Sequence, residues 1–236
     1  MQQPTKAIVP AAGFGTRQYP ATSAVRKEFF PLVDRDGTPK PALQLLVEEA
    51  VDSGFDEVCI ICGPDTEEMC RRHFSAVGDE DRARFEGKPA ALAASARLEE
   101  LGRKLSFVPQ EQQLGLGHAV WCARDWLGGE PFLMMLGDHA FVSDSQVRCA
   151  RQLRDAWQGH SLTALWPGGP GKLPRYGVAR GTLVDEHIVD LAGFEEKPPL
   201  EVAREKCTVD GLPQDTFLLH FGMHIFAPAI IDILDE

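Results

Sequence analysis

Short apolar runs alternate along the chain with longer segments whose apolar positions recur every three or four residues. Lys6 to Pro10 is one such run and reads as a buried strand. A helix follows over 41–53, with Pro41 at a first-turn position and Gly54 as its stop. Glu57 to Cys62 is a second buried strand, and 65–76 is a helix started by Asp65. Helix 90–104 leads into a strand over Leu105 to Val108. Helix Gly117 to Leu127 leads into a strand over Pro131 to Leu136, which ends at Gly137-Asp138-His139. After helix 144–158 the pattern changes. Ser161 to Trp166, Tyr176 to Arg180, Ile188 to Glu196 and Phe217 to Phe226 all read as strands, with Gly168 to Gly171 as a loop. Strict alternation of strand and helix through residue 160 predicts an α/β fold whose parallel strands are covered on both faces. The strand-rich remainder predicts a mixed sheet or a substrate-binding excursion.

Composition narrows the class. The chain has 236 residues, 44% hydrophobic and 25% charged. These are values of an ordinary folded domain, so one large domain over 1–236 is expected and disorder is not. The net charge of −11 argues against a nucleic-acid partner. The charge is uneven, however. Lys6, Arg17, Arg26, Lys27, Arg35 and Lys40 outnumber Glu28, Asp34 and Asp36, so residues 1–40 are basic on an acidic body. That places a candidate anion site near the start of the chain, although chance clustering of solvated charges gives the same count. The six cysteines show no paired zinc-site spacing, and Cys59 and Cys62 read as buried free thiols on opposite faces of one strand. The opening residues do not read as a signal peptide and no apolar run reaches membrane length, so no membrane partner and a cytoplasmic location are expected.

The first strand runs into Ala12-Gly13-Phe14-Gly15-Thr16-Arg17. Glycines at the carboxyl end of a strand let backbone N–H groups approach an anion. The loop lacks the Gly-Lys-Ser/Thr ending of a Walker motif, and Gln18 stands where the dinucleotide fingerprint needs glycine. Taken alone, it serves equally well as a glycine turn between two elements. Asp138, closing the apolar run Phe132 to Leu136, is a carboxylate that must be exposed, capping a turn or bound to a cation. Gln110 carries both a donor and an acceptor, which suits the edge of a pyrimidine base or an ordinary loop contact.

Five stretches in order carry a more specific signal. They are Gly13 to Arg17 with Pro20-Ala21-Thr22, Lys27-Glu28 and Pro31-Leu32-Val33; Gln110 with Gly115-Leu116-Gly117-His118-Ala119-Val120; Asp138; Tyr176-Gly177-Val178; and Glu196-Lys197-Pro198. Together they resemble the sugar-1-phosphate nucleotidyltransferases, and within them the bacterial UTP–glucose-1-phosphate uridylyltransferases. The resemblance spans nearly the whole chain. It implies a Rossmann-like, glycosyltransferase-A-like fold with a mixed, mostly parallel central sheet flanked by helices. It also implies transfer of a uridylyl group from UTP to glucose 1-phosphate, with release of pyrophosphate. Arg17 and Lys27 are then expected at the triphosphate, and Lys197 at the sugar phosphate. Asp138 is expected to hold Mg²⁺. Ala12, Gly13, Gly15, Thr16, Gln110 and Gly115 would bind the nucleotide, and Gly177 and Glu196 the sugar.

The chain also departs from that family. Ser23 stands where lysine is usual and Arg26 where proline is usual. Arg35 to Thr38 form an extra stretch, and His139 differs from the usual turn. The sugar and the base are therefore left open, with dTTP or another sugar 1-phosphate as the alternative within the class. A non-catalytic module that binds nucleotide sugars is the alternative outside it. Family members continue past the strand that matches Phe221 to Phe226, so the family's C-terminal segment is expected to be lacking here. A homo-oligomer is also compatible with the resemblance.

Overall fold

A computed structural model describes residues 2–63 and 66–235. They gather into two compact units, one of residues 1–162 with 224–236 and one of residues 163–223.

The first unit opens with strand β1 (Lys6–Ala11), then a small antiparallel hairpin of β2 (Pro31–Val33) and β3 (Pro39–Pro41). Helix α1 (Ala42–Asp52) leads into β4 (Glu57–Cys62). Helices α2 (Thr66–His73), α3 (Asp79–Arg84) and α4 (Pro89–Gly102) precede β5 (Leu105–Pro109). Helices α5 (Leu116–Cys122) and α6 (Arg124–Leu127), strand β6 (Phe132–Met135) and helix α7 (Cys149–Asp155) complete the run. The second unit takes in β7 (Leu162–Gly168), β8 (Gly177–Leu183), β9 (Val189–Glu196), helix α8 (Leu200–Lys206) and the start of β10 (Phe217–Phe226). The end of β10 and helix α9 (Ile230–Leu234) belong to the first unit.

In the first unit β1 is central, with β4 parallel on one side and β6 parallel on the other, and β5 lies parallel outside β4. Burial of both faces explains why β1, β4 and β6 are mostly apolar. Ile8, Cys59, Ile61, Phe132 and Met134 pack on one face against Ala119, Val120, Ala123 and Leu127 of α5 and α6. Their alternates Ala7, Val9, Val58, Ile60, Leu133 and Met135 are equally buried, so the sheet is covered on both sides. In the second unit β8 pairs antiparallel with β9 and with β10, over a core of Leu173, Val178, Ala203, Phe217 and Leu219. The described residues thus show the expected α/β class with a mixed, mostly parallel sheet.

Several boundaries differ from the sequence pattern for local reasons. Pro41 stands at the N-cap in extended backbone (ψ 144°), not in the first turn, because it still pairs in β3. The helix expected over 117–127 is broken at Ala123 into α5 and α6. The helix expected over 144–158 shortens to α7, because Ser143 and Ser145 hydrogen-bond backbone and Gln152 in a turn. Gly168, expected in a loop, ends β7, and 170–175 form a 3-10 turn. Asp65, expected to start a helix, lies outside the described residues; α2 is described from Thr66. Cys59 and Cys62 are buried free thiols as expected, and burial pushes the Cys59 thiol up to about 12.

Candidate active site

Register places the candidate residues of the first unit. Ala11 of β1 lies beside Cys62 of β4, and Cys62 beside Pro109 of β5. The next residues are therefore Ala12, Gly63 and Gln110, which leave three adjacent strands at one level. On the other side Ile8 lies beside Met134, so β6 ends lower and its extension carries Gly137 and Asp138 up to the same edge. Gly137 has to be small there: a Cβ would stand 2.4 Å from the Pro10 carbonyl oxygen. Ligands of open parallel sheets bind at this carboxyl edge.

The glycine loop is shaped by its own residues. Gly15 adopts φ 66°, and a Cβ on it would meet Thr22 at 2.8 Å. The Thr22 hydroxyl donates to the Gly15 carbonyl at 3.1 Å and holds the bend. Lys27 starts a 3-10 turn (Lys27–Phe29), and its ammonium lies beneath the loop, 3.4 Å from where a Cβ on Gly13 would stand. Lys27 Nζ donates to Asp138 Oδ2 at 3.2 Å, and His139 Nδ1 contacts Asp138 Oδ1 at 3.1 Å. The hydrogen bond from His139 and the nearby Lys27 charge hold the Asp138 carboxyl well below the usual carboxylate range. Thr16 and Arg17 form an exposed turn, and no ion pair among the described residues engages Arg17.

Behind Lys27 lies a charge that the motif alone does not reveal. Glu28 is fully buried, with Lys27 Nζ 4.0 Å from Oε1 and, among the described residues, only its own backbone N–H close to the carboxylate, too poorly aligned for a full hydrogen bond. Burial pushes its carboxyl up. Arg26 donates through Nη2 to the Thr66 hydroxyl at 2.7 Å, while its buried Nε has no partner. Gly63 leaves room for that guanidinium: a Cβ there would stand 3.1 Å from Nη2 and 3.3 Å from the Ala12 carbonyl oxygen.

The segment after β5 is tied to the same edge. The Gln110 backbone N–H donates to the Cys62 carbonyl at 2.9 Å, and its side-chain Nε2 donates to the Gly115 carbonyl at 3.0 Å. The same nitrogen stands 3.0 Å from His118 Nδ1. Gln113 Nε2 donates to the Ala12 carbonyl at 2.7 Å, which joins this loop to the start of the glycine loop.

The structure therefore brings Ala12, Gly13, Gly15, Lys27, Gln110, Gly115 and Asp138 to one edge of the first unit, with Thr16 and Arg17 on the adjoining turn. Gly177, Glu196 and Lys197 gather in the second unit. Gly177 of β8 lies opposite Glu196 of β9, where a Cβ on the glycine would be 3.1 Å from Oε2. Lys197 pairs with Glu196 at 2.9 Å and turns at φ 45°, with both side chains exposed. Sequence reasoning missed Glu28, Gln113 and His118 as parts of the site. In sequence Glu28 is one acid within a basic segment, and Gln113 acts across about a hundred residues of chain.

For a divalent cation the first unit offers one ionised carboxylate, Asp138, at an open strand end; no cluster of three or more His, Cys, Asp or Glu among the described residues is arranged to hold a metal. A single carboxylate fits Mg²⁺, which takes its remaining ligands from phosphates and water.

The profile of the nucleotidyl transferase family matches residues 6–236. The chain belongs to that family. This nucleotidyltransferase is 35% identical to the UTP–glucose-1-phosphate uridylyltransferase YngB of Bacillus subtilis (strain 168) over 209 residues, 87% of this chain and 67% of the relative. It is 33% identical to a second Bacillus subtilis UTP–glucose-1-phosphate uridylyltransferase over 239 residues, 100% of this chain and 75% of that one. A solved UDP-glucose pyrophosphorylase complexed with UDP-glucose superposes with a TM-score of 0.76 at 29% identity, over 99% of this chain and 80% of its own. The UTP-bound UGPase from Acinetobacter baumannii shares the fold, with a TM-score of 0.77 at 23% identity over 99% of this chain and 78% of its own. In the nucleotidyltransferase, as in the sequence pattern, the glycine loop follows the first strand and Asp138 follows β6. No described helix is long and apolar enough to cross a membrane.

Proposed function

We propose that the nucleotidyltransferase joins UTP to glucose 1-phosphate, giving UDP-glucose and pyrophosphate, with Mg²⁺ bound through Asp138. The observation that carries this reading is Lys27, held beneath the glycine loop and hydrogen-bonded to Asp138 at the carboxyl edge of β1 and β6. Identities of 35% and 33% to two uridylyltransferases support UTP and glucose 1-phosphate as the substrates.

The reaction needs alignment and charge neutralisation more than a protein nucleophile. A phosphate oxygen of the sugar phosphate attacks the α-phosphorus of UTP. The bond from that phosphorus to the β-phosphate bridging oxygen breaks, and pyrophosphate leaves. Backbone N–H groups of Gly13, Gly15 and Thr16 are assigned to the triphosphate. Lys27 and Arg17 offset charge on the triphosphate and on the departing pyrophosphate. Arg17 is suited to this by having no competing carboxylate among the described residues. Ala12, Gln110 and Gly115 receive the base. In the second unit, Glu196 accepts from sugar hydroxyls beside the space left by Gly177, and Lys197 holds the sugar phosphate. Bound Mg²⁺ would supply further charge neutralisation at the phosphates.

The test is pyrophosphate release with Mg²⁺, each nucleoside triphosphate and a panel of sugar 1-phosphates. UTP with glucose 1-phosphate should give the highest rate, and EDTA should abolish it. Measurable nucleotide binding without release from any combination would overturn the enzymatic reading in favour of a binding module.

A further inference from the structure

We propose that His118 is a positioning residue. Together with the Gly115 carbonyl it holds Gln110 so that its carbonyl oxygen, not its amide, faces the nucleotide base, which restricts the site among pyrimidines to uracil and thymine and excludes cytosine. The proposal rests on the reading that Gln110 meets the base.

The orientation follows from what each neighbour can accept. The Gly115 carbonyl oxygen has no hydrogen to give, so the Gln110 atom 3.0 Å from it must be the amide nitrogen. That nitrogen also stands 3.0 Å from His118 Nδ1. Nδ1 therefore accepts, and the ring proton of neutral His118 sits on Nε2. Cys122 Sγ lies 3.7 Å from Nε2 and 3.8 Å from Nδ1, packing on the ring without favouring either nitrogen, so the tautomer follows from the Gln110 contact. Trp121 stacks on the imidazole with centroids 6.0 Å apart and planes 20° apart, which fixes the ring. Both amide hydrogens of Gln110 are thereby used inside the protein, and no donor among the described residues meets Oε1. Flipping the carboxamide would set two oxygens against each other at Gly115 and lose the His118 bond.

Gln110 can therefore only accept from a base. Uracil and thymine present a ring N3–H and match it. Cytosine presents an unprotonated N3, so two acceptors would face each other in a mostly buried place, a mismatch that sites built on one hydrogen bond reject strongly.

The experiment measures kcat/KM for UTP, CTP and 3-methyl-UTP in the wild type and in the His118→Phe, His118→Asn and Gln110→Ala variants. Phenylalanine keeps the ring stacking and removes the acceptor, whereas asparagine restores one. The wild type should prefer UTP over both other nucleotides by more than about 100-fold. His118→Phe should narrow the UTP:CTP ratio at least tenfold with the melting temperature unchanged, and His118→Asn should recover part of it. Use of CTP or 3-methyl-UTP within tenfold of UTP by the wild type would overturn the proposal, as would an unchanged ratio in His118→Phe. Gln110→Ala separates the two levels. If it leaves the KM for UTP unchanged, the base reading of Gln110 itself is wrong. If it raises that KM while His118→Phe keeps the ratio, only the role of His118 fails.

Discussion

Lys27 and Glu28 are neighbours in sequence with opposite surroundings. Lys27 reaches the open edge and Asp138, whereas Glu28 is sealed behind it, 4.0 Å from the same ammonium and without a well-formed hydrogen bond on either oxygen. Lys27→Ala is expected to lower kcat/KM about 100- to 1,000-fold, in the range of losing one preorganised charge contact, and steady-state kinetics check this. Glu28→Gln should act in the opposite sense on stability. An acid whose folded-state pKa is raised binds its proton more tightly in the folded protein, so it weakens the fold as pH rises past the ordinary carboxylate range. The glutamine variant should therefore be more stable than wild type near pH 7, by roughly 1–3 kcal/mol. The advantage should shrink toward pH 4, and thermal unfolding at several pH values checks this. Motif reading made Lys27, Gln110 and Asp138 legible because their neighbours in sequence carry the signal. It could not show that Glu28 is buried, because nothing in a Lys-Glu dipeptide distinguishes a sealed carboxylate from a solvated one.

At the scale of elements, the candidate site is a row of strand ends brought level by register. The strands β1, β4, β5 and β6 were legible because each is a short, mostly apolar run. Short helices were not: α3, α8 and α9 span fewer than two turns and show no usable period. The loop contacts are equally silent in sequence, since Gln113 finds the Ala12 carbonyl only after β1 and β5 are in place. Gln113→Glu replaces that donor with an acceptor facing a carbonyl. The KM for UTP should rise several-fold with kcat little changed, because the change loosens the loop assigned to the base in the proposed function and leaves Lys27 and Asp138 alone. Gly137→Ala should cost at least about 2 kcal/mol, because a methyl group 2.4 Å from the Pro10 oxygen forces two strands apart; denaturant unfolding would show it.

At the scale of the whole molecule, an acidic chain carrying a basic opening segment is reconciled by where the cations go. Lys40 is consumed by Asp34 and Glu48, and Lys6 by Glu130, while Arg17 stays open at the edge. Asp34 and Asp138 have lowered carboxyl pKa values, Asp34 through its Lys40 hydrogen bond and Asp138 through its His139 hydrogen bond. Their contribution is complete above the ordinary carboxylate range and is lost as pH falls through their folded-state values. Melting temperature should therefore decline below about pH 4, and Asp34→Asn should flatten that decline. The central claim is direct transfer of the uridylyl group between phosphates without a protein-bound intermediate. Single-turnover reaction of UTP labelled with ³²P at the α-phosphate, with glucose 1-phosphate and Mg²⁺, tests it most directly. All of the label should move into UDP-glucose in step with pyrophosphate, with none on the quenched protein. Label retained on the protein, or no transfer at all, would contradict it.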